Sequence, residues 1–369
     1  MKTYEYRLRP NAKQEALLWK VLILSREFYN NALQELVEHY KTTGKHMNLF
    51  AQDKLHGKKQ HPEIPAVVVD TVLKRLHNSF ARFFAGIKQG KKVGFPRFKS
   101  ARGWNTIQFR DADTNGIDSV YFKAGKLLGG KIRFNKHREM LGILKFCRIV
   151  RQPSGWYLQC VCDNIQEQKL PLSDKAIGLD VGIRYLVADS DGNKVENPKF
   201  LRKSLHKLRV AQRKIARRKR GSRRRKKACR ISARIHEKIC NQRRDYLHKV
   251  ARNYVNNYGI IVVEDLRIQN MVRNHHLALS ISDAAWNILF DFISYKAENA
   301  GRKFIKVNPR FTSQKCANCG ELVWKALSVR THICPHCGYI ECRDVNAAKN
   351  ILGLGLSLQE PSNAKAMFS

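Results

Sequence analysis

Apolar residues alternate at the start of the chain, where Tyr4, Tyr6 and Leu8 precede Pro10, and this period of two predicts a strand. The period then changes. From Asn11 to about Tyr40, Leu17, Leu18, Val21, Leu24, Phe28 and Leu33 fall at helical spacing. A second helical face runs from about Ala66 to Ile87 through Val69, Val72, Leu73, Leu76, Phe80, Phe83 and Phe84, with Lys74, Arg75, His77 and Arg82 elsewhere on the helix. The stretch K-K-V-G-F-P-R-F-K, Lys91 to Lys99, breaks that helix and interleaves Phe95 and Phe98 with basic residues. Two roles stay open for these rings, stacking beside phosphate contacts or anchoring a loop to the core. Between about Ile107 and Val161 come short β-prone runs with Gly129, Gly130 and Gly155 as turn signals, which predict a small β-barrel or compact sheet completed by the first strand. The polar stretch Gln166 to Asp174 reads as a linker to a second half.

That half opens with A-I-G-L-D-V-G-I and R-Y-L-V-A-D-S-D-G-N, a hairpin that carries Asp180. Helical spacing of Leu201, Leu205, Leu208 and Ile215, an interruption at Gly221-Ser222, and a second run through Ile231, Ile235, Ile239, Leu247, Val250 and Tyr254 predict a helical hairpin over 201–258. I-I-V-V-E-D-L follows as a buried strand ending at Glu264. A helix from about Asp283 to Ala300, the strand K-F-I-K-V-N, a cysteine-bearing module over 311–340 and a short helix from Asp344 through Ile351 complete the pattern. The residues after it, to Ser369, read as a frayed tail.

Charge narrows the partners. Lysine and arginine number 70 against 30 acids, a formal charge of +40, which points to sustained contact with phosphate backbone and leaves an acidic membrane surface as the competitor. Fifteen of the 26 residues from Arg202 to Lys227 are basic. Embedded apolar periodicity there argues against a disordered tail, and the like charges would repel one another without phosphates nearby. No run approaches 18 apolar residues and the N-terminus lacks the apolar stretch of a signal peptide, so the expected location is the cytoplasm, at the nucleoid when bound to DNA. The ten cysteines, four of them in paired CxxC units, suit a reducing compartment with one metal site better than a disulfide framework.

Cys316-x-x-Cys319 and Cys334-x-x-Cys337 stand fourteen residues apart, the spacing of two knuckles that close a tetrahedral zinc site. Four thiolates leave no open coordination position, so the expected role is structural, with Cys342 and His336 as possible stray ligands. Three acids carry the candidate chemistry. Asp180 lies in an apolar strand, where an ionised carboxylate needs a cation, or else ends that strand in a turn with Gly182. Glu264 closes a second apolar strand, and Asp265 should face the other way because strand side chains alternate. Asp344 opens a helix and could simply be its N-cap. Hard oxygen ligands of this kind suit magnesium or manganese, and two such ions support in-line phosphodiester hydrolysis.

Together, R-L-R-P-N, K-K-V-G-F-P-R-F-K, G-L-D-V-G-I, L-A-L-S-I-S-D-A-A-W, the cysteine ribbon and R-D-V-N-A-A-K-N-I resemble the TnpB family, the transposon-encoded OrfB proteins related to compact type V CRISPR effectors. The resemblance covers nearly the whole chain. It implies an RNA-guided DNA endonuclease with an RNase H-like RuvC domain, in which Asp180, Glu264 and Asp344 match the catalytic acids; DDE transposases place glutamate last instead. It further implies an α+β N-terminal half, a wedge β-barrel from 1–10 and 101–170 with a helical recognition lobe at 11–100 inserted. An α/β RuvC-like domain over 171–369 carries the zinc ribbon. The implied partners are a guide RNA and double-stranded target DNA with a flanking motif, read near Val67 to Arg75 and Asn48, with one protein per RNA. The family often has H-D-R-D where this chain has E-C-R-D, which puts the neighbours of Asp344 in doubt. Two competing classes are a guide-dependent repressor that does not cut, and a transposase or its accessory protein.

Overall fold

Asn11 ends one element and opens the next. The strand β1 (Lys2–Arg9) stops at Pro10, and the Asn11 side chain accepts a hydrogen bond from the Gln14 amide while the Gln14 side chain accepts one from the Asn11 amide, a capping box for α1 (Ala12–Thr43). Two further helices follow, α2 (Leu49–Leu55) and α3 (Ala66–Lys88). The computed structural model describes residues 1–56, 61–110, 117–118, 120–165, 169–326 and 328–358, and the chain divides into two units, Met1–Gln166 and Glu167–Ser369. The expected linker at 166–174 begins outside the described residues.

In the first unit, β1 lies inside an antiparallel sheet with β2 (Thr106–Arg110), β3 (Tyr121–Lys123), β4 (Lys131–Asn135), β5 (Ile143–Gln152) and β6 (Gly155–Asp163), in the order β2-β5-β6-β1-β4-β3. Among the described residues no backbone pairing joins β2 to β3 at the two edges of this ladder. The edges still approach each other, with the Phe109 and Phe122 rings 5.3 Å apart. The helices share one apolar core with this sheet: Tyr6, Leu158 and Ile149 pack in the same cluster as Leu18, Leu33, Leu73 and Leu76. Phe95 of the basic loop lies edge-on to Phe80 and Phe83, 5.3 and 5.4 Å away, with 49 % of it exposed, and Phe98 is 57 % exposed.

The second unit is a layered sheet. Its strands are β7 (Ala176–Val181), β8 (Tyr185–Asp189), β9 (Lys194–Glu196), β10 (Ile260–Glu264) and β11 (Lys303–Val307), in the order β11-β10-β7-β8-β9. The pairs β7–β10 and β10–β11 are parallel and the other two antiparallel. Between β9 and β10 run α4 (Phe200–Ala216) and α5 (Arg223–Asn257), the basic hairpin. Ser222 caps α5, and Arg225 donates to the Ile215 and Arg218 carbonyls at 2.7 and 3.0 Å, placing a cation at the C-terminal end of α4.

The helix expected from about Asp283 to Ala300 is present and begins three residues later, at Trp286, behind a break. After α6 (Ile268–Met271), α7 (His275–Ala284) ends at Ala285, whose φ of 56° breaks the run before α8 (Trp286–Asn299). This break also divides the stretch His275–Asn299, which is long and apolar enough to cross a membrane by composition alone. Asp283 therefore closes α7 rather than opening a helix. Buried, it accepts from the Leu201 and Arg202 amides at 3.0 and 3.1 Å and from Arg243 at 2.9 Å, so one carboxylate satisfies the orphan donors of α4 and ties them to α5.

A two-stranded ribbon, β12 (Thr331–Ile333) and β13 (Ile340–Cys342), leads into α9 (Arg343–Ser357). That helix runs beyond Ile351, and the tail from 359 lies outside the described residues. Strand alternation assigns the sheet faces. Ile177, Leu179, Ile261 and Val263 pack with α5 and α8, whereas Val262 packs with Ile351 of α9. Gly178 permits that second contact, since a Cβ there would stand 2.1 Å from the Ala348 carbonyl.

Candidate active site

Because Ile177, Leu179, Ile261 and Val263 face α5 and α8, their neighbours Asp180 and Glu264 face α9. Parallel pairing aligns Val263 with Leu179, which sets Glu264 beside Asp180 on that face. Asp344 arrives from the first turn of α9. It is not the N-cap: Cys342 holds that position, and Asp344 lies two residues further in, where the helix dipole favours a carboxylate. Three acids far apart in sequence thus share one end of one sheet face.

Their charges act on one another. Burial, then the Glu264 carboxylate, then that of Asp344 push the Asp180 carboxyl well above its ordinary range, against weaker opposing effects of Arg343 and the Val181 amide. Burial also raises Glu264, while a hydrogen bond from Thr312 opposes the rise. The Thr312 hydroxyl donates to Glu264 Oε1 at 2.5 Å, and both side chains are buried. Asp344 has longer contacts, 3.7 Å to Arg330 and 4.0 Å to Arg343. The donor set is all carboxylate oxygen, the kind of ligand that hard divalent ions take, with Arg330 and Arg343 as the cations beside Asp344. Asp265 is apart from this group; it points to Lys306 at 3.9 Å and is 70 % exposed.

The four cysteines converge more tightly. Among the described residues, Cys316, Cys319, Cys334 and Cys337 are the group whose ligand atoms all lie within 4.8 Å of one another. Zn–S bonds of about 2.3 Å in a tetrahedron require sulfurs about 3.8 Å apart. The observed Sγ separations are 3.7 Å for Cys316–Cys337 and 3.6 Å for Cys319–Cys334. Both knuckles turn alike: the Gly320 amide donates to Cys316 O and Gly338 to Cys334 O, with φ of 80° and 71°. The Asn318 amide leads the effects that lower the Cys337 thiol to about 6, toward the thiolate a metal requires. The cluster fits zinc. Neither His336 nor Cys342 belongs to it.

Three connections were not read from the sequence. Asn346, fully buried on α9, accepts from the Ala317 amide at 2.9 Å and donates to Lys315 O at 2.7 Å. Asn350, one turn on, donates to Thr312 O and Lys315 O, both at 2.8 Å. Thr312 completes the set. The only sequence signal was the spacing of the two asparagines by four residues, which places both on one helix face.

The family description "Probable transposase" (OrfB_IS605) matches residues 159–275, "Cas12f1-like, TNB domain" matches 286–351, and "Helix-turn-helix domain" matches 1–45. Residues 1–45 hold β1 and one continuous helix, α1, rather than two helices about a turn. The chain is 32 % identical over 372 residues to a protein of Streptomyces pristinaespiralis named "Putative RNA-guided DNA endonuclease", covering 96 % of this chain and 90 % of that one. It is 29 % identical over 378 residues to the "Putative RNA-guided DNA endonuclease InsQ" of Escherichia coli K12, covering 96 % and 92 %. A solved structure titled "Structure of the mini-RNA-guided endonuclease CRISPR-Cas_phi3" aligns with a TM-score of 0.49 at 10 % identity, covering 96 % of this chain and 92 % of that chain.

Metal analysis of purified protein should return about one zinc per chain, and Cys316→Ser should lose it together with the fold of the C-terminal module. An intact, fully stable Cys316→Ser protein would remove the structural role. A second expectation follows from the charge crowding at Asp180. A carboxyl with a raised folded pKa binds protons in the native state that the unfolded chain has released, so stability falls as pH rises through that window. In protein that keeps its zinc and is measured without added magnesium or manganese, Asp180→Asn should therefore raise Tm at neutral pH, and the gain should shrink toward acid pH. An equal gain at both pH values, or a loss, would contradict the crowding.

Proposed function

The chain belongs to the TnpB family, and on that premise we propose that it is an RNA-guided DNA endonuclease in which Asp180, Glu264 and Asp344 form the cutting centre. The observation that supports this reading is the delivery of three acids, from β7, β10 and α9, to one face of a five-stranded mixed sheet.

The carboxylates of Asp180, Glu264 and Asp344 would hold Mg2+ or Mn2+. When bound, a pair of such ions supplies an activated water and neutralises the leaving oxygen of an in-line displacement. The chain contributes position: β7 and β10 fix two acids in register, and α9, seated on Gly178, fixes the third. Zinc in the cysteine cluster would be structural, because four thiolates exclude water from its coordination sphere.

Each unit has a surface for nucleic acid. In the second, the hairpin of α4 and α5 carries the densest basic run in the chain and suits the backbone of a guide–target duplex. In the first, a groove of about 590 Å³ between α3, β2 and β5 is lined by Lys74, Arg75, Asn78, Arg82, Gln108 and Arg148. The Arg75 guanidinium lies 4.4 Å over the Trp104 ring, which holds a cation at the groove wall. This groove is the proposed place where the first unit meets DNA beside the target or the scaffold of the guide. Sequence reading itself would fall to guide pairing. A binder that represses without cutting needs none of the three acids, and all three are present.

Protein purified with its bound RNA should cleave a matching duplex, and Asp180→Ala or Glu264→Ala should lower single-turnover cleavage by at least about a hundredfold, since even groups behind a metal's ligands are worth 10–100-fold. Both variants should retain guide-dependent DNA binding. Full cleavage by either variant would remove that acid from the centre, and cleavage without RNA would overturn the guided mechanism.

A further inference from the structure

The loop between β11 and the first cysteine knuckle brings a hydroxyl, that of Thr312, to Glu264. Thr312 Oγ1 lies 2.5 Å from Glu264 Oε1 and 3.1 Å from the Pro309 carbonyl, and its one proton goes to the nearer, charged acceptor; with 2 % of Thr312 and 8 % of Glu264 exposed, water does not compete for the bond. A carboxylate presents two oxygens, and holding one fixes the plane in which the other can act as a ligand.

Independent features set this threonine in place. Its carbonyl accepts from Asn350 of α9, the helix that delivers Asp344. The residue before it, Phe311, has a φ of 66°, a left-handed conformation that is uncommon for a bulky side chain and is held only where surrounding contacts impose it. Those contacts are visible. Gln314 and Lys315 amides both donate back to the Phe311 carbonyl at 2.9 Å, and the Lys315 carbonyl is held by Asn346 and Asn350 immediately before Cys316. A bonded path therefore runs from the cysteine cluster through this turn to Glu264 and, by the same asparagines, to the helix of Asp344.

Resting on the assignment of Glu264 to the cutting centre, we propose that Thr312 is a positioning residue which orients the Glu264 carboxylate for its divalent ion, and that the cysteine ribbon acts on the cutting centre through Thr312.

Three variants test it in the full protein–RNA complex: Thr312→Val, which keeps the shape and removes the donor, Thr312→Ser, which restores the donor, and Glu264→Gln. Mn2+ binding is measured by electron paramagnetic resonance on uncleavable DNA, and cleavage is measured against Mn2+ concentration. Thr312→Val should weaken Mn2+ binding about tenfold or more and move the cleavage curve to correspondingly higher Mn2+, the loss typical of a group behind a metal ligand. Zinc content and Tm should stay at parental values, and Thr312→Ser should recover most of the binding. Parental Mn2+ binding by Thr312→Val would overturn the proposal, as would a loss that serine does not recover. Failure of the underlying assignment looks different: Glu264→Gln would then bind Mn2+ and cleave like the parent.

Discussion

Like-charge repulsion between buried carboxylates is the constraint under which the second unit is built. Asp180 and Glu264 stand side by side on neighbouring parallel strands, and Asp344 acts on Asp180 from the end of a helix. Nothing in the acids themselves favours that meeting. It is imposed by apolar packing on both sides of the sheet: Ile177, Leu179, Ile261 and Val263 under α5 and α8, and Val262 with Ile351 under α9. Each buried aliphatic side chain contributes about 1.5–3 kcal/mol, so a handful suffices to hold a destabilised carboxylate pair in register.

The remaining parts of the unit hold that arrangement or extend it. The cysteine ribbon enters between β11 and α9, the elements on either side of the site, and Asn346 and Asn350 stitch it to the helix. The basic hairpin enters between β9 and β10, and its base is fastened by Asp283 to α7, so a surface dense in like charges is anchored by a buried acid at its root. Insertions at sheet connections leave the sheet register intact.

Strong periodicity made the framework legible. Alternating Tyr4, Tyr6 and Leu8, the helical runs of α1 and α3, and the Gly221-Ser222 break all mark real elements because burial of one face imposes the spacing. Elements held by polar contacts gave no such signal. The seven-residue α2 depends on Gln52, wholly buried, donating to Ala32 O and Glu35. The break at Ala285 was hidden because its flanks are apolar on both sides, and α9 outran its expected end because Leu354 and Leu356 continue the helix while half exposed. At the site, the three acids could be named from strand ends and motifs. Asp344 was expected to compete with a capping role, and register showed that role to belong to Cys342. Thr312 stayed invisible, since a threonine in a loop has meaning only through the carboxylate folded against it.

Manganese located by anomalous diffraction in crystals of the guide- and DNA-bound protein tests most directly whether the acids form a cation-held cutting centre. Anomalous density against the carboxylates of Asp180, Glu264 and Asp344, lost in Asp180→Ala crystals, is the result expected. Cleavage-competent crystals with manganese bound elsewhere, and none at these three acids, would contradict it.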